Sequence, residues 1–191
     1  RLHQAQEQVK RQRKRRNVIC CGRRWGKNIL MQDLAVEGSR GGLVGWAAPI
    51  YKQTLDDYRA LDNVLAPIVT RRSSTEMRLE LVGGGVIEFW SLDKPDSIRG
   101  KKYNRFIVNE AGFVSNLLDI RNYIITPTLI DFQGDEYYAG TPKGMNGFFS
   151  LYNQTGEDWA RWQMSSYSNP HVPASELDSL KTLMPERAFQ Q

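Results

Sequence analysis

Cysteine, histidine and long apolar runs are all scarce in this chain, and each scarcity argues against a class of protein. The two cysteines are neighbours, Cys20-Cys21, inside one apolar run. A pair so placed staples no distant segments, so a disulfide-built secreted domain is disfavoured and free thiols in a reducing compartment are expected. The two histidines, His3 and His171, lie far apart with no metal-ligand spacing, which argues against a zinc site. No apolar stretch approaches the ~18 residues needed to cross a bilayer. The first residues are polar and lack the apolar segment of a secretory leader. Internal repeats and low-complexity linkers are missing as well. What is there, 191 residues at 40% hydrophobic and 25% charged with a formal net charge of +5, suits one mildly basic domain with a full core.

The pattern along the chain alternates. A basic helix over 2–16 precedes a strand at 17–21, and a second helix covers 26–38. Strand 43–48 and helix 51–65 follow, then an antiparallel hairpin of 76–82 with 85–90 about the turn Gly83-Gly84-Gly85. Strand 104–109, helix 116–125, strand 135–139, helix 147–154 and strand 160–165 come next. A final helix over 173–183 starts near Pro173. Alternation of this kind predicts an α/β fold: a mostly parallel sheet flanked by helices, with an antiparallel edge from the hairpin. Phe148, Phe149, Leu151 and Tyr152 read as the buried face of one helix, and Trp25 as core beneath its loop. Lys10-Arg11-Gln12-Arg13-Lys14-Arg15-Arg16 places six cations in seven positions, either a solvated helix face or a contact for DNA phosphates.

The most informative stretch is Cys21-Gly22-Arg23-Arg24-Trp25-Gly26-Lys27-Asn28. It follows the apolar run Asn17-Val18-Ile19-Cys20 and precedes a periodic helical segment, the strand–turn–helix context of a phosphate-binding loop. Gly22 and Gly26 let backbone N–H groups converge, the helix start adds unpaired donors, and Lys27 can reach the outer phosphates of a nucleoside triphosphate. Cys21 stands where such loops carry their first glycine, and Asn28 where they carry a magnesium-holding hydroxyl. Downstream, Phe106-Ile107-Val108-Asn109-Glu110 is an apolar strand ending in a polar pair. P-loop ATPases put a magnesium-holding aspartate at such a strand end. The subclass with an extra central strand follows it with a glutamate that prepares the attacking water. Here those positions are Asn109 and Glu110.

On these residues the chain resembles the large terminase subunits of tailed bacteriophages, the motors that package DNA into procapsids. Gly22-Arg23-Arg24-Trp25-Gly26-Lys27 is close to that family's G-R-R-x-G-K loop. Leu2-His3-Gln4-Ala5-Gln6 resembles its adenine-recognising segment, with Gln6 at the key glutamine. Ser97-Ile98-Arg99-Gly100 resembles the stretch that carries a trans-acting arginine. Gly140-Thr141-Pro142-Lys143-Gly144 resembles the coupling motif, and Ser168-Asn169-Pro170-His171 the end of the ATPase domain.

The resemblance implies a P-loop NTPase fold of the additional-strand, catalytic-glutamate type, and an ATPase with ATP and Mg2+ as cofactors. It implies Gln6, Gly22, Arg23, Arg24, Gly26, Lys27 and Asn28 around the nucleotide. Asn28 and Asn109 would lie beside the metal, directly or through water. Glu110 would orient the water, Arg23 would act in cis, Arg99 on a neighbour's ATP, and Thr141 as the sensor of the γ-phosphate. Implied partners are double-stranded DNA, the portal protein, the small terminase subunit and further copies in a ring on the portal. No membrane is implied, and the place of action is the host cytoplasm at the procapsid portal vertex. Two other readings stay open: a P-loop translocase or helicase of another family, and a nucleotide-gated DNA-binding module with little turnover. The chain starts at Arg1 and stops at Gln190-Gln191 in a run that reads as helical, so a fragment is expected. Residues 1–191 then form a single ATPase domain. Glu157, Asp158, Glu176, Asp178 and Glu186 do not sit on buried strand ends, so the family's C-terminal nuclease domain is expected to be absent.

Overall fold

Strand residues alternate between two cores, and that alternation builds the sheet. In the computed structural model, which describes residues 1–183, α1 (Gln4–Gln12) leads into β1 (Arg16–Cys21) and α2 (Lys27–Gly38). Strand β2 (Leu43–Ala48) and α3 (Tyr51–Leu65) follow, then β3 (Val69–Ser73), β4 (Arg78–Leu81), β5 (Val86–Ser91) and β6 (Arg105–Val108). The second half contains α4 (Leu117–Ile120), α5 (Thr126–Thr128), β7 (Asp135–Gly140), α6 (Gly147–Tyr152), β8 (Trp159–Met164) and α7 (Ala174–Leu183). Glu186 and the Gln190–Gln191 end lie outside the described residues.

The strands form one eight-stranded sheet in the order β3-β4-β5-β2-β6-β7-β1-β8. All neighbours from β5 to β8 pair in parallel, while β3 and β4 add the antiparallel edge. Ile19 and Cys21, Val44 and Trp46, Ile107, and Tyr137 and Ala139 point to one side, where α1, α2 and α3 cover them. Val18, Ala47, Phe106, Val108 and Tyr138 point to the other, under α4, α6 and the segment between them. The period of two sends successive residues to opposite faces, so near-continuous apolar strands are buried on both. The thiols of Cys20 and Cys21 are free. Burial pushes the Cys21 thiol up to about 12.

Four sequence expectations change. Helix α1 stops at Gln12, because Arg13 turns to extended backbone and the basic run becomes a connection. Its cations are largely engaged within the protein: Lys10 with Asp33 and Glu37, Arg13 with Glu37, Arg15 with Gly134 O, and Arg16 with Glu136 and Asp158. Strand β3 was not expected, since its residues are mostly exposed and show no apolar alternation. The helix expected to end at 125 continues through a π turn at Arg121–Ile125 into α5. Pro127 lacks the N–H that would donate to Tyr123 O, and that carbonyl instead accepts Arg99 Nη1 at 3.2 Å. On α6, Phe148 and Leu151 are buried as expected, but Phe149 is exposed. Among the described residues, no helix is long and apolar enough to cross a membrane.

Candidate nucleotide-binding site

The loop between β1 and α2 is held by its carbonyls. Arg23 O accepts Ser166 Oγ at 2.5 Å, and Arg24 O accepts Asn169 Nδ2 at 2.6 Å. Trp25 O lies 3.0 Å from His3 Nε2, which must carry the proton to bond a carbonyl. Gly26 O accepts Gln6 Nε2 at 2.8 Å. Four successive carbonyls are thus fixed by side chains from two flanks, α1 and the turn after β8. Arg24 (φ 65) and Gly26 (φ 96) adopt left-handed backbone, the alternation that lets neighbouring N–H groups face one concavity. Gly26 has a second reason to be glycine, since a Cβ there would lie 2.6 Å from Gln6 Nε2. Trp25 is fully buried beneath the loop, its indole N–H donating to Ser168 Oγ at 2.8 Å and its ring edge-on to His3. Bound to protein through their carbonyls, the loop peptides keep N–H groups for an anion at the start of α2, apart from that of Trp25, which donates to Gly22 O at 3.3 Å.

The other side of the candidate site lies at the end of β6. Glu110 follows that strand with left-handed backbone (φ 53, ψ 38), a strained choice for a residue with a Cβ. Its carboxylate pairs with Lys27 Nζ. The Lys27 side chain is 9% exposed and that of Glu110 28%, so the pair sits at the mouth of the site. Asn109 is buried, and its Nδ2 donates to both oxygens of Asp57, at 3.2 and 3.0 Å. Trp46 Nε1 donates to the same carboxylate at 2.8 Å. Asn109 Oδ1 is buried without a hydrogen-bond partner. Burial, first of all, pushes the Asp57 carboxyl up, with the Asn109 and Trp46 hydrogen bonds acting against it.

Strand β7 runs between β1 and β6, so one strand separates the loop from the Asn109-Glu110 pair. That insertion is the additional central strand expected from the sequence. Thr141 stands just beyond its end, with Thr141 O packed so closely against Gly112 that a Cβ there would meet it at 2.8 Å. Asn146, the N-cap of α6, donates to Gly112 O at 2.8 Å. The turn after Glu110 therefore touches both the end of β7 and the start of α6.

Comparison with solved structures identifies the fold. The ATPase domain of the Thermus phage P74-26 large terminase superposes with a TM-score of 0.79 at 22% identity, covering 100% of this chain and 92% of that one. The fold is that of a phage large terminase ATPase domain. The large terminase of a thermophilic bacteriophage, solved in complex with ADP, gives a TM-score of 0.77 at 14% identity over 93% of this chain and 46% of that one. In sequence, the large terminase subunit of Thermus phage G20c is 26% identical over 174 residues, 78% of this chain and 36% of the relative. That of Escherichia phage T5 is 22% identical over 125 residues, 63% and 28% respectively. The chain spans about a third of the length of the curated relatives it matches. No protein-family profile matches it. The resemblance read from the motifs is therefore one of both sequence and fold.

Within this terminase fold, the site residues read from sequence take different places. Gly22, Gly26, Lys27, Asn28, Asn109, Glu110 and Thr141 gather at the carboxyl ends of β1, β6 and β7, where parallel sheets present their ligand sites. Arg23 and Arg24 are exposed on the loop, and Asn28 is exposed at the second position of α2. Arg99 stands apart, after β5, on a 3₁₀ turn, with its guanidinium held by Asp96 (2.7 Å) and Tyr123 O. Gln6 is 1% exposed, and its amide is engaged with Gly26 O and, at 2.9 Å, the His3 N–H. Sequence reading missed Asp57, and it missed His3, Ser166 and Asn169 as loop ties. Asp57 had one visible signal: it lies on the inner stripe of α3 beside buried Thr54, Tyr58 and Leu61, where an apolar residue would be expected.

Proposed function

We propose that this chain is the ATPase motor of a large terminase, hydrolysing ATP to drive double-stranded viral DNA into a procapsid. The observation that carries the reading is the meeting of Lys27 and Glu110: a phosphate-facing cation and a water-preparing carboxylate converge from strands two places apart, across the inserted β7. The ADP and ATP-gamma-S complexes of the thermophilic bacteriophage terminase support a nucleotide as the ligand.

In this reading the loop N–H groups and Lys27 hold the β- and γ-phosphates, and Arg23 extends to the γ-phosphate. Gln6 acts first as a tie for the loop, and reading an adenine edge calls for giving up its bond to Gly26 O. Glu110 accepts a proton from the attacking water once phosphate has drawn Lys27 away. Thr141 senses the γ-phosphate and hands its loss to α6 through Gly112 and Asn146. The oxygen-rich side of the site fits magnesium, which takes oxygen ligands and keeps several waters. Asn109 Oδ1 is buried and unsatisfied, and Asn28 sits where the loop enters α2. Bound there, the ion supplies positive charge against the phosphate oxygens.

Arg99 serves a neighbouring copy. Its turn follows β5, and its guanidinium is engaged with Asp96 and Tyr123 O rather than with Glu110 or the loop after β1. The Arg99 side chain is 56% exposed. A ring on the portal, with the small subunit and DNA, is the assembly that would bring it to a second ATP. The place of action is then the portal vertex in the host cell.

The test is phosphate release by the full-length protein with portal and double-stranded DNA. Turnover should rise on assembly and vanish in Lys27→Ala. In Arg99→Ala it should fall by about 10³-fold with nucleotide affinity kept. Nucleotide binding without turnover in the assembled motor would point instead to a gated DNA-binding module.

A further inference from the structure

The end of β6 carries an amide where this chemistry usually places a carboxylate, yet a carboxylate is there. Asp57 reaches it from α3, and Asn109 Nδ2 donates to both of its oxygens. A carboxylate only accepts hydrogen bonds, so Asp57 dictates which way the Asn109 amide faces: NH2 toward Asp57, oxygen away. That oxygen is the buried Oδ1 that no protein group satisfies, although Asn109 is only 2% exposed. A buried carbonyl left unpaired is costly in a finished fold, which marks it as a position for a ligand from outside the chain. Trp46 Nε1 fixes the carboxylate from its other side and completes a rigid triad from β2, α3 and β6.

We propose that Asp57 is the metal-side carboxylate of this site, supplying from α3 the negative charge that Asn109 lacks and turning the Asn109 oxygen toward the ion. The inference rests on the reading of the chain as a nucleotide-hydrolysing motor. Asp57 is a positioning residue with respect to Asn109. Its charge also lies near those of Glu110 and Lys27. A purely structural Asp57 would need only to accept from Trp46 and Asn109. An asparagine could fill that role through its own oxygen.

The two roles separate in a calorimetric titration of ADP, with magnesium and with chelator, on three proteins. In the unmodified protein magnesium should tighten ADP binding. In Asp57→Asn the affinity in chelator should stay within about twofold, while the gain from magnesium falls about tenfold or more, the size seen when outer-shell partners of a metal are lost. The exchange variant Asp57→Asn with Asn109→Asp keeps one carboxylate and one amide in contact and should recover most of that gain. An undiminished magnesium gain in Asp57→Asn overturns the proposal and leaves the motor reading intact. If Asp57→Asn does not fold, the exchange variant decides: recovered magnesium dependence supports the proposal, and ADP binding indifferent to magnesium overturns it. Failure of the unmodified protein to bind ADP under either condition overturns the proposal together with the motor reading.

Discussion

Glu110→Gln should tighten nucleotide binding while stopping turnover. Lys27 cannot serve the phosphates and Glu110 equally, because its ammonium is paired with that carboxylate. Nucleotide binding must therefore loosen the pair. A hydrogen bond to a charged group contributes about 1.5–3 kcal/mol net. Glu110 keeps 28% of its side chain exposed, which favours the lower end of that range. Glutamine retains an oxygen toward Lys27, and a bond to a neutral acceptor keeps roughly half the strength. The released difference is about 1 kcal/mol, or about fivefold in Kd. Calorimetry with ADP in chelator isolates this effect from the metal, and phosphate release measures the loss of the water-preparing carboxylate. An affinity for ADP unchanged or weakened in Glu110→Gln would refute the competition, and near-normal turnover would refute the role of Glu110.

Three further outcomes follow from the loop and its surroundings. Gly26→Ala forces a side chain into left-handed backbone, at about 1–2 kcal/mol, and displaces Gln6, losing a hydrogen bond of about 1 kcal/mol; melting should fall by about 5–10 °C for a domain of this size. Asn169→Ala frees Arg24 O and should weaken ADP binding about fivefold and lower the melting temperature by about 2–4 °C, which calorimetry and thermal scanning report together. Cys21, buried with its thiol pushed up to about 12, should resist alkylation at pH 8 in the folded protein and react once it is denatured, as mass mapping of the labelled peptide will show.

Much of the frame was legible because burial on both faces writes itself as apolar strands. Strand 43–48 and helix 51–65 emerge with the boundaries expected, and the loop, the Asn109-Glu110 pair and Thr141 gather at one edge of the sheet. Strand β3 was hidden because Thr70, Arg71 and Arg72 face solvent and leave no alternation to read. The extent of α1 was overestimated because a run of cations is compatible with a helix until Arg13 turns out of it. The π turn was invisible because Pro127 reads as a helix stop, whereas its missing N–H merely passed the Tyr123 carbonyl to Arg99. The loop ties from Ser166 and Asn169 join residues more than 140 positions apart through side chain to backbone bonds, which impose no local pattern. Asp57 meets Asn109 across 52 positions, and only its place on an apolar stripe betrayed it.

The most direct test of the account is a crystal structure of the domain with ADP. The β-phosphate should sit on the N–H groups of the loop leading into α2. Lys27 turns from Glu110 to the phosphate, while the bonds from Ser166, Asn169 and His3 to their loop carbonyls persist. ADP bound elsewhere, or phosphate on the loop with Lys27 still paired to Glu110, would contradict it.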